Sequence, residues 1–249
     1  MENSDLTRRA EDLLRRCEKS AVLTATHFLT PAERLQLERW AKTQPACRLV
    51  FSGGHPDCER TVAFFLPDYM EPEWLPLDEH IRALMITAPF GNPGHRDYLG
   101  ALVGMGIGRE RLGDIWVREN TAVVFCLPGV EKHLLSIDKV GHCSVRARSL
   151  PLGEVPAPER TVKQKSFSVQ SLRLDAVAGG LFGLSRSEAA RQVEAGLVSL
   201  NYEVCDRCDA AVREGDILSL RGKGKGRITG MGGTSRKGRQ FVSGEIYLS

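Results

Sequence analysis

The sequence has no apolar run that approaches the ~20 residues of a membrane helix. Its N-terminus, MENSDLTRRAEDLLRRCEKS, is charged where a secretory signal needs an apolar core. Both absences argue against membrane insertion and export. We therefore expect a cytoplasmic protein without a membrane segment.

Two common cysteine patterns are also missing. The seven cysteines are odd in number and scattered, which is typical of reduced thiols and not of a disulfide framework. The one close pair, Cys205 and Cys208, lacks the second CxxC or the following HxxxH that a zinc site needs. The glycines of Gly104–Gly108 follow a predicted helix, whereas those of a dinucleotide fingerprint precede one. We therefore expect no metal and no cofactor.

Positive charge is concentrated near the C-terminus. The chain of 249 residues has a net charge of +3, yet seven basic residues and no acidic one occur between Ser219 and Gln240. They are Arg221, Lys223, Lys225, Arg227, Arg236, Lys237 and Arg239. Because basic residues that neutralise phosphates release condensed counterions, this segment favours polyanion binding; a solvated tail is the alternative.

The length predicts more than one hydrophobic core, and the residue pattern predicts three parts. Residues 1–75 are expected to be an N-terminal α+β segment, with two helices before residue 43 and a hairpin after them. Residues 76–150 show the order β, α, β, β, α, β, which is typical of ferredoxin-like (RRM-like) domains. A proline-rich linker at 151–161 precedes a third part at 162–249. The predicted fold class is therefore α+β.

The middle domain has few of the aromatic residues with which RRM sheets stack bases. Its central strands offer only Trp116 and Phe125, and nothing matches the K/R-G-F-G-F-V-x-F motif. His95 and Arg96, at the start of a predicted helix, are candidate ribosome contacts. Since adjacent helical residues point about 100° apart, we do not expect them to form a catalytic group with Asp97.

The third part contains a short helix with clear ends. In LSRSEAARQVEAGLVSLN, Ser185 and Glu188 form an S-x-x-E capping box, and Gly196 is a helix-ending glycine. A strand follows, and Glu214–Asp216 predicts a turn into another strand. Arginines beside the free amides at a helix N-terminus can hold a phosphate. The pattern therefore predicts a scaffold for a basic surface.

Three segments of this part, SLRLD, LSRSEAARQVEAGLVSLN and REGDILSL, together resemble the S4 RNA-binding domain over Phe167–Arg227. A further segment, HRDYLGALVGMGIGRERLGDIWV at His95–Val117, is similar to the signature of the YlmH family of S4-domain proteins. The resemblance implies an RRM-like middle domain and a C-terminal S4 domain of two small helices on a small sheet. It also implies binding to structured RNA, rRNA or tRNA, on the large ribosomal subunit. Family members are linked to the rescue of stalled ribosomes and to cell division.

The residues expected to contact RNA lie on the capped helix, next to it and in the basic segment. They are Arg173, Ser185, Arg186, Ser187, Arg191, Gln192, Asn201, Arg221, Lys223, Lys225, Arg227, Arg236 and Lys237. We expect a compact C-terminal scaffold to hold several of the guanidinium and ammonium groups where one polynucleotide backbone can meet them together. Asp175 belongs to an R-L-D tripeptide that also resembles one in pseudouridine synthases, but we expect it to cap or pair locally.

The predicted function is that of a monomeric RNA-binding factor that is not an enzyme. Two alternatives remain open. In the first, the S4 domain recruits RNA to a middle domain that modifies it, which predicts a bound cofactor or a modified nucleotide. In the second, the protein is a cell-division adaptor whose middle domain binds a protein partner without RNA.

Overall fold

The computed structural model describes residues 2–45, 47–158, 161–235 and 238–247. The chain forms a mixed α/β fold and divides into two compact units, here called the N-terminal unit (residues 1–158) and the C-terminal unit (residues 159–249). The boundary between the units falls within the predicted linker. The further division of the N-terminal unit at residue 75 stays a prediction. Among the described residues, no helix has the length and apolar character required to cross a bilayer.

The first half of the N-terminal unit is a three-stranded antiparallel sheet with helices. Its elements are α1 (Glu2–Ser20), β1 (Thr24–Leu29), α2 (Pro31–Ala41), β2 (Leu49–Ser52), β3 (Thr61–Phe65) and α3 (Leu77–His80). The strand order is β1-β3-β2. The helix α2 begins as its sequence predicts, because Thr30 and Glu33 form a complete capping box and Pro31 occupies the first turn. The strand β1 was not predicted.

The second half of the N-terminal unit is a four-stranded antiparallel sheet, here called the middle sheet, with two main helices. Its elements are β4 (Arg82–Thr87), α4 (His95–Gly104), β5 (Leu112–Arg118), β6 (Thr121–Cys126), α5 (Pro128–Leu135), β7 (Lys139–Val140), β8 (Cys143–Ser144) and β9 (Arg146–Leu150). The strand order is β5-β6-β4-β9. The apolar pattern predicts a helix over Pro128–Val140, but α5 ends at Leu135, because Val140 pairs with Cys143 in a two-stranded ribbon.

The middle sheet buries side chains on both faces. On one face, Leu84 and Val124 pack with α4 and α5. On the other face, Ala83 and Phe125 pack against β1 and β3 of the three-stranded sheet. Phe125 is fully buried, and the ring of Trp116 packs edge-on against it with centroids 4.9 Å apart. The two aromatic residues that RNA stacking would require therefore face a core, which agrees with the missing RNP motif.

The C-terminal unit contains a six-stranded antiparallel sheet, here called the C-terminal sheet. Its elements are β10 (Val162–Val169), α6 (Leu174–Phe182), α7 (Arg186–Glu194), β11 (Val198–Leu200), β12 (Glu203–Val204), β13 (Ile217–Leu220), β14 (Gly224–Thr234) and β15 (Gln240–Tyr247). The strand order is β10-β15-β14-β13-β11-β12. The sheet is larger than predicted, since the glycine-rich basic segment forms most of a long hairpin and is not a solvated tail.

The helices α6 and α7 cover one face of the C-terminal sheet. Leu181 of α6 lies against Gly226 and Gly244, where an added Cβ atom would come within 3.1 and 2.9 Å of its methyl carbons. These glycines therefore face the helices. Because side chains alternate along a strand, Lys225 and Arg227 project from the opposite face.

Candidate RNA-binding surface

The capped helix α7 is held by contacts that its sequence predicts. The hydroxyl of Ser185 accepts a hydrogen bond from the amide of Glu188 at 3.2 Å. The reciprocal bond from the Ser185 amide to the Glu188 carboxylate is not formed among the described residues. Ala189 and Val193 are fully buried, and Gly196 follows the helix with φ of +68°. Tight packing and both ends thus fix the position of the helix.

The outer side of α7 carries the exposed candidates. Ser185, Arg186, Ser187 and Arg191 are exposed, and Gln192 is half-buried. The amides of the first turn have no partners within the helix, and its dipole favours an anion there. Arg191 lies one turn beyond Ser187 on the same side of the helix, and Gln192 lies about two turns beyond the N-cap residue Ser185. Contact of Gln192 with RNA stays a prediction.

Arg173 is held in place by an acidic neighbour. Its Nε and Nη2 atoms each donate to an oxygen of Asp175 at 3.1 Å. The Asp175 side chain is 4% exposed, against 40% for Arg173. Both hydrogen bonding and charge from Asp175 raise the pKa of Arg173. The predicted local role of Asp175 is present, and it compensates the charge of Arg173.

Asn201 closes the turn between β11 and β12. Its side-chain amide donates to Asp216 at 2.9 Å, and its side-chain oxygen accepts from the amide of Ile217 at 2.9 Å. Asn201 and Tyr202 both have positive φ, +50° and +69°. Glycine adopts such angles without strain, whereas residues with a side chain rarely adopt them. The structure therefore gives Asn201 a structural task.

The basic segment divides between two places. Arg221 and Lys223 are exposed in the turn between β13 and β14. The amide of Arg221 donates to the carbonyl of Leu197 at 3.1 Å, which places this turn beside the C-terminal end of α7. We call Ser185, Arg186, Ser187, Arg191, Arg221 and Lys223 the helix-side surface.

Lys225 and Arg227 lie on the opposite face of the C-terminal sheet. The ammonium group of Lys225 lies 5.8 Å from the ring centroid of Tyr202 and 5.5 Å from that of Tyr247. Arg227 pairs in register with Glu245 on β15. Lys225 and Arg227 therefore do not share a face with α7, because Gly226 between them faces α6. Their contact with RNA stays a prediction. Arg236 and Lys237 lie outside the described residues.

His95 and Arg96 are exposed at the start of α4 in the N-terminal unit. Asp97 caps this helix, since its carboxylate accepts from the amide of Gly94 at 2.8 Å. Desolvation lowers the pKa of His95, Arg109 lowers it further and Asp114 opposes the change. The lowered pKa favours the neutral ring of His95. Asp97 has a capping role, and ribosome contact by His95 and Arg96 stays a prediction.

The cysteines and carboxylates form no metal-binding group of three or more within the described ranges. Cys208 instead lies 3.6 Å from the carbonyl oxygen of Ala190. No local signal in the sequence predicts the contact of Lys225 with Tyr202 and Tyr247. The alternation of β14 could have placed Lys225 and Arg227 on one face, but the two tyrosines come from distant strands and turns.

The comparisons agree with the proposed resemblance. Residues 80–154 match the family described as "Putative RNA-binding domain in YlmH". The chain is 32% identical over 222 residues to "Ribosome-associated protein quality control protein P2" of Bacillus subtilis, covering 88% of this chain and 86% of that protein. The structure of "Cell division protein ylmH from Streptococcus pneumoniae" superimposes with a TM-score of 0.52 at 25% identity, covering 62% of this chain and 94% of that chain. The chain therefore belongs to the YlmH family.

Proposed function

We propose that this protein is a ribosome-associated, RNA-binding factor that contacts structured rRNA or tRNA on the large subunit. Two comparisons support the proposal: the family matched by residues 80–154 is described as RNA-binding, and the B. subtilis relative is named as a ribosome-associated quality control protein. By analogy, stalled ribosomal complexes are the proposed target. In this proposal, the protein acts as a monomer in the cytoplasm.

The proposal assigns an RRM-like arrangement to the middle sheet. In chain order its principal strands are β4, β5, β6 and β9, and helices follow the first and third of them. The sheet order β5-β6-β4-β9 is therefore second, third, first, fourth. The alternating element order supports a ferredoxin-like fold. The α6–α7 pair, with β11 and β13 behind it, is the proposed S4 domain.

The helix-side surface is the proposed contact with structured RNA. The observation that carries this choice is the exposed Arg186 at the first turn of α7, beside amides that have no helical partners. The hydroxyl and guanidinium groups of the helix-side surface can bind phosphates without reading bases. Arg173 and Asn201 support the scaffold in this proposal, because their polar groups are engaged within the protein.

Binding, not catalysis, is the proposed activity. The relatives are named for ribosome association and cell division, and the matched family for RNA binding. The Asp175 carboxylate accepts from Arg173 and from the amide of Ala176 in a buried position, which suits a scaffold. Mass spectrometry of rRNA from wild-type and deletion cells tests this view. A nucleotide whose modification is lost on deletion would establish the enzymatic alternative.

Filter binding of the full chain to an rRNA hairpin tests the helix-side surface. If Arg186, Arg191, Arg221 and Lys223 contact phosphates, log K should fall against log salt with a slope of about −3, at −0.7 to −0.9 per contact. The double variant Arg186→Gln/Lys223→Gln should weaken binding and flatten the slope by about 1.5. The matched control, Arg227→Gln on the opposite face, should keep wild-type affinity. Equal affinity of the double variant and the wild type would remove the helix-side surface from the proposal.

A further inference from the structure

The open end of the middle sheet brings arginines of β5 and β9, which are distant in the sequence, onto one face. Cross-strand pairing aligns Arg146, Thr87, Thr121 and Arg118 in one row across β9, β4, β6 and β5. Because adjacent strands lie about 4.8 Å apart, the two end residues of the row are about 14 Å apart at their Cα atoms. Arg146 and Arg118 are both exposed.

The next row adds a third arginine on the same face. Arg148 pairs in register with Met85, and its Nη2 atom lies 3.4 Å from the Met85 sulfur. Its guanidinium therefore lies over the sheet surface. Arg146 and Arg148 are two residues apart on one strand, so they share this face at a spacing of about 7 Å.

This part of the face differs from the part that is covered. One row further along, Ala83, Phe125 and Leu150 are 2%, 0% and 5% exposed, because the three-stranded sheet packs against them. The cover extends to the row of Arg148, where Val123 is still buried. It ends before the row of Arg146 and Arg118, in which no residue is buried.

An exposed aromatic ring lies at the same end of the sheet. Phe90 follows β4 by three residues and is 87% exposed. The loop that carries it is tied to the turn between β5 and β6, since Asn120 donates from its side chain to the carbonyl of Ala88 at 3.1 Å and accepts from the Ala88 amide through its own carbonyl at 2.8 Å. Phe90 is therefore two residues from a fixed point beside the arginine row.

We propose that this surface, formed by Phe90, Arg118, Arg146 and Arg148, binds a single-stranded segment of RNA. A single strand offers phosphates for guanidinium groups and unstacked bases with apolar faces for an aromatic ring. The surface provides both kinds of group at one end of a rigid sheet. This differs from base stacking on the central strands, where Phe125 is buried. The inference rests on the proposed function in that it assumes an RNA-binding protein, but it uses a separate surface.

Fluorescence anisotropy of the full chain with a labelled, unstructured RNA of about 12 nucleotides tests the proposal. Arg146→Gln/Arg148→Gln should weaken binding and flatten the log–log salt dependence by about 1.4, since two single-strand phosphate contacts are lost. Phe90→Ala should weaken binding on the order of 5- to 150-fold without changing the salt slope, because stacking involves no counterion release.

Matched controls come from the same unit. Arg8→Gln/Arg15→Gln removes two arginines of α1 whose side chains are 75% and 73% exposed, and Trp74→Ala removes a ring that is 67% exposed. These variants should keep wild-type affinity. Urea unfolding followed by tryptophan fluorescence checks that Phe90→Ala and the double arginine variant stay folded, since Trp40, Trp74 and Trp116 all lie in the N-terminal unit.

The proposals for the two surfaces are tested independently. Arg186→Gln/Lys223→Gln should weaken binding to the rRNA hairpin and leave the single strand bound. If the wild type does not bind the hairpin, the proposed function loses its surface while the single-strand measurement still stands. Unchanged single-strand affinity in the Phe90 and arginine variants would overturn the present proposal. Lost co-sedimentation with large ribosomal subunits at unchanged single-strand affinity would also overturn it, because the surface would then contact something other than a single strand.

Discussion

The middle sheet and the C-terminal sheet each carry helices on one face and differ on the other. In the middle sheet, the second face buries Ala83 and Phe125 beneath a further sheet. In the C-terminal sheet, the second face presents Lys225, which is half-buried, and Arg227, which is exposed. The middle sheet therefore has a covered face with an open end, and the C-terminal sheet has a polar face along the hairpin of β14 and β15.

The strand sequences explain this difference. The run AVVFC in β6 is continuously apolar, as expected of a strand that is buried on both faces. The strand β15, QFVSGEIY, alternates between buried positions such as Val242 and exposed ones such as Ser243. A sheet with two apolar faces needs a second layer to keep water from them. Alternation with polar residues leaves a face available for a charged ligand.

The largest expected effect comes from opening the covered face. Phe125→Ala should lower the free energy of unfolding of the N-terminal unit by about 3–5 kcal/mol, because a fully buried ring leaves a cavity. Urea unfolding followed by tryptophan fluorescence measures it, since that signal arises from this unit alone. The matched change is Phe241→Ala, at a site on β15 that is 53% exposed. It should lower the free energy of unfolding of the C-terminal unit by less than about 1 kcal/mol, as measured by calorimetry of the full chain. Equal losses would contradict the distinction between the faces.

The helix-covered face of the C-terminal sheet is tested by Gly180→Ala. The added Cβ atom would overlap the ring of Phe167 on β10, so the substitution should destabilise the C-terminal unit by about 1–3 kcal/mol. Calorimetry of the full chain measures it, and tryptophan fluorescence should not change. Gly100→Ala on α4 is the control, because nothing lies within 4 Å of its added Cβ atom. That variant should be neutral or more stable by up to about 1 kcal/mol; a loss there would show that crowding is not the cause.

Two asparagines compare the turns of the two sheets. Asn201→Ala removes two side-chain hydrogen bonds, to Asp216 and Ile217, and should destabilise the C-terminal unit by about 1–3 kcal/mol. Asn120→Ala removes one side-chain hydrogen bond, to the carbonyl of Ala88. It should lower the free energy of unfolding of the N-terminal unit by about half as much. Calorimetry resolves the two units. Hairpin RNA affinity of folded Asn201→Ala should equal that of the wild type, and a large loss would restore Asn201 as an RNA contact.

The smallest expected effect is a pH dependence confined to the N-terminal unit, which contains all six histidines. Desolvation lowers the pKa of His80, which is half-buried, and of His95. Protonation then favours the unfolded chain, so the stability that these neutral rings provide is present above their ordinary pKa of about 6.5 and is lost as the pH falls through it. The urea midpoint, followed by tryptophan fluorescence, should decrease as the pH is lowered from 7.5 to 5.5. His80→Gln should show a smaller fall than the wild type, and an equal fall would exclude His80 as a cause.

Local sequence signals predicted several elements well. The strands β4, β5 and β6 and the helix α4 follow the apolar pattern, and Ser185 and Gly196 lie at the two ends of α7. These features depend on neighbours within a few residues, such as caps and left-handed glycines. The YlmH resemblance, read from His95–Val117 and the helical segment, is confirmed by the comparisons.

Other elements depend on partners that are distant in the sequence. The segment GKGRITGMGGT is rich in glycine, which is disfavoured in strands, yet β14 forms because β13 and β15 pair with its two edges. The helix α5 is shorter than its pattern because Val140 pairs elsewhere. For the same reason, no local signal aligns Arg118 with Arg146, which are 28 positions apart and joined only by cross-strand register.

The sequence by itself determined the mixed α/β class, the family and the ends of the capped helix, because each follows from residue type and short spacing. Only the tertiary structure decided which cations share a surface. Gly226 and Gly244 let Leu181 approach the hairpin, and this contact turns Lys225 and Arg227 away from α7. The direction of a strand side chain depends on which face another element buries, and that burial involves residues far along the chain.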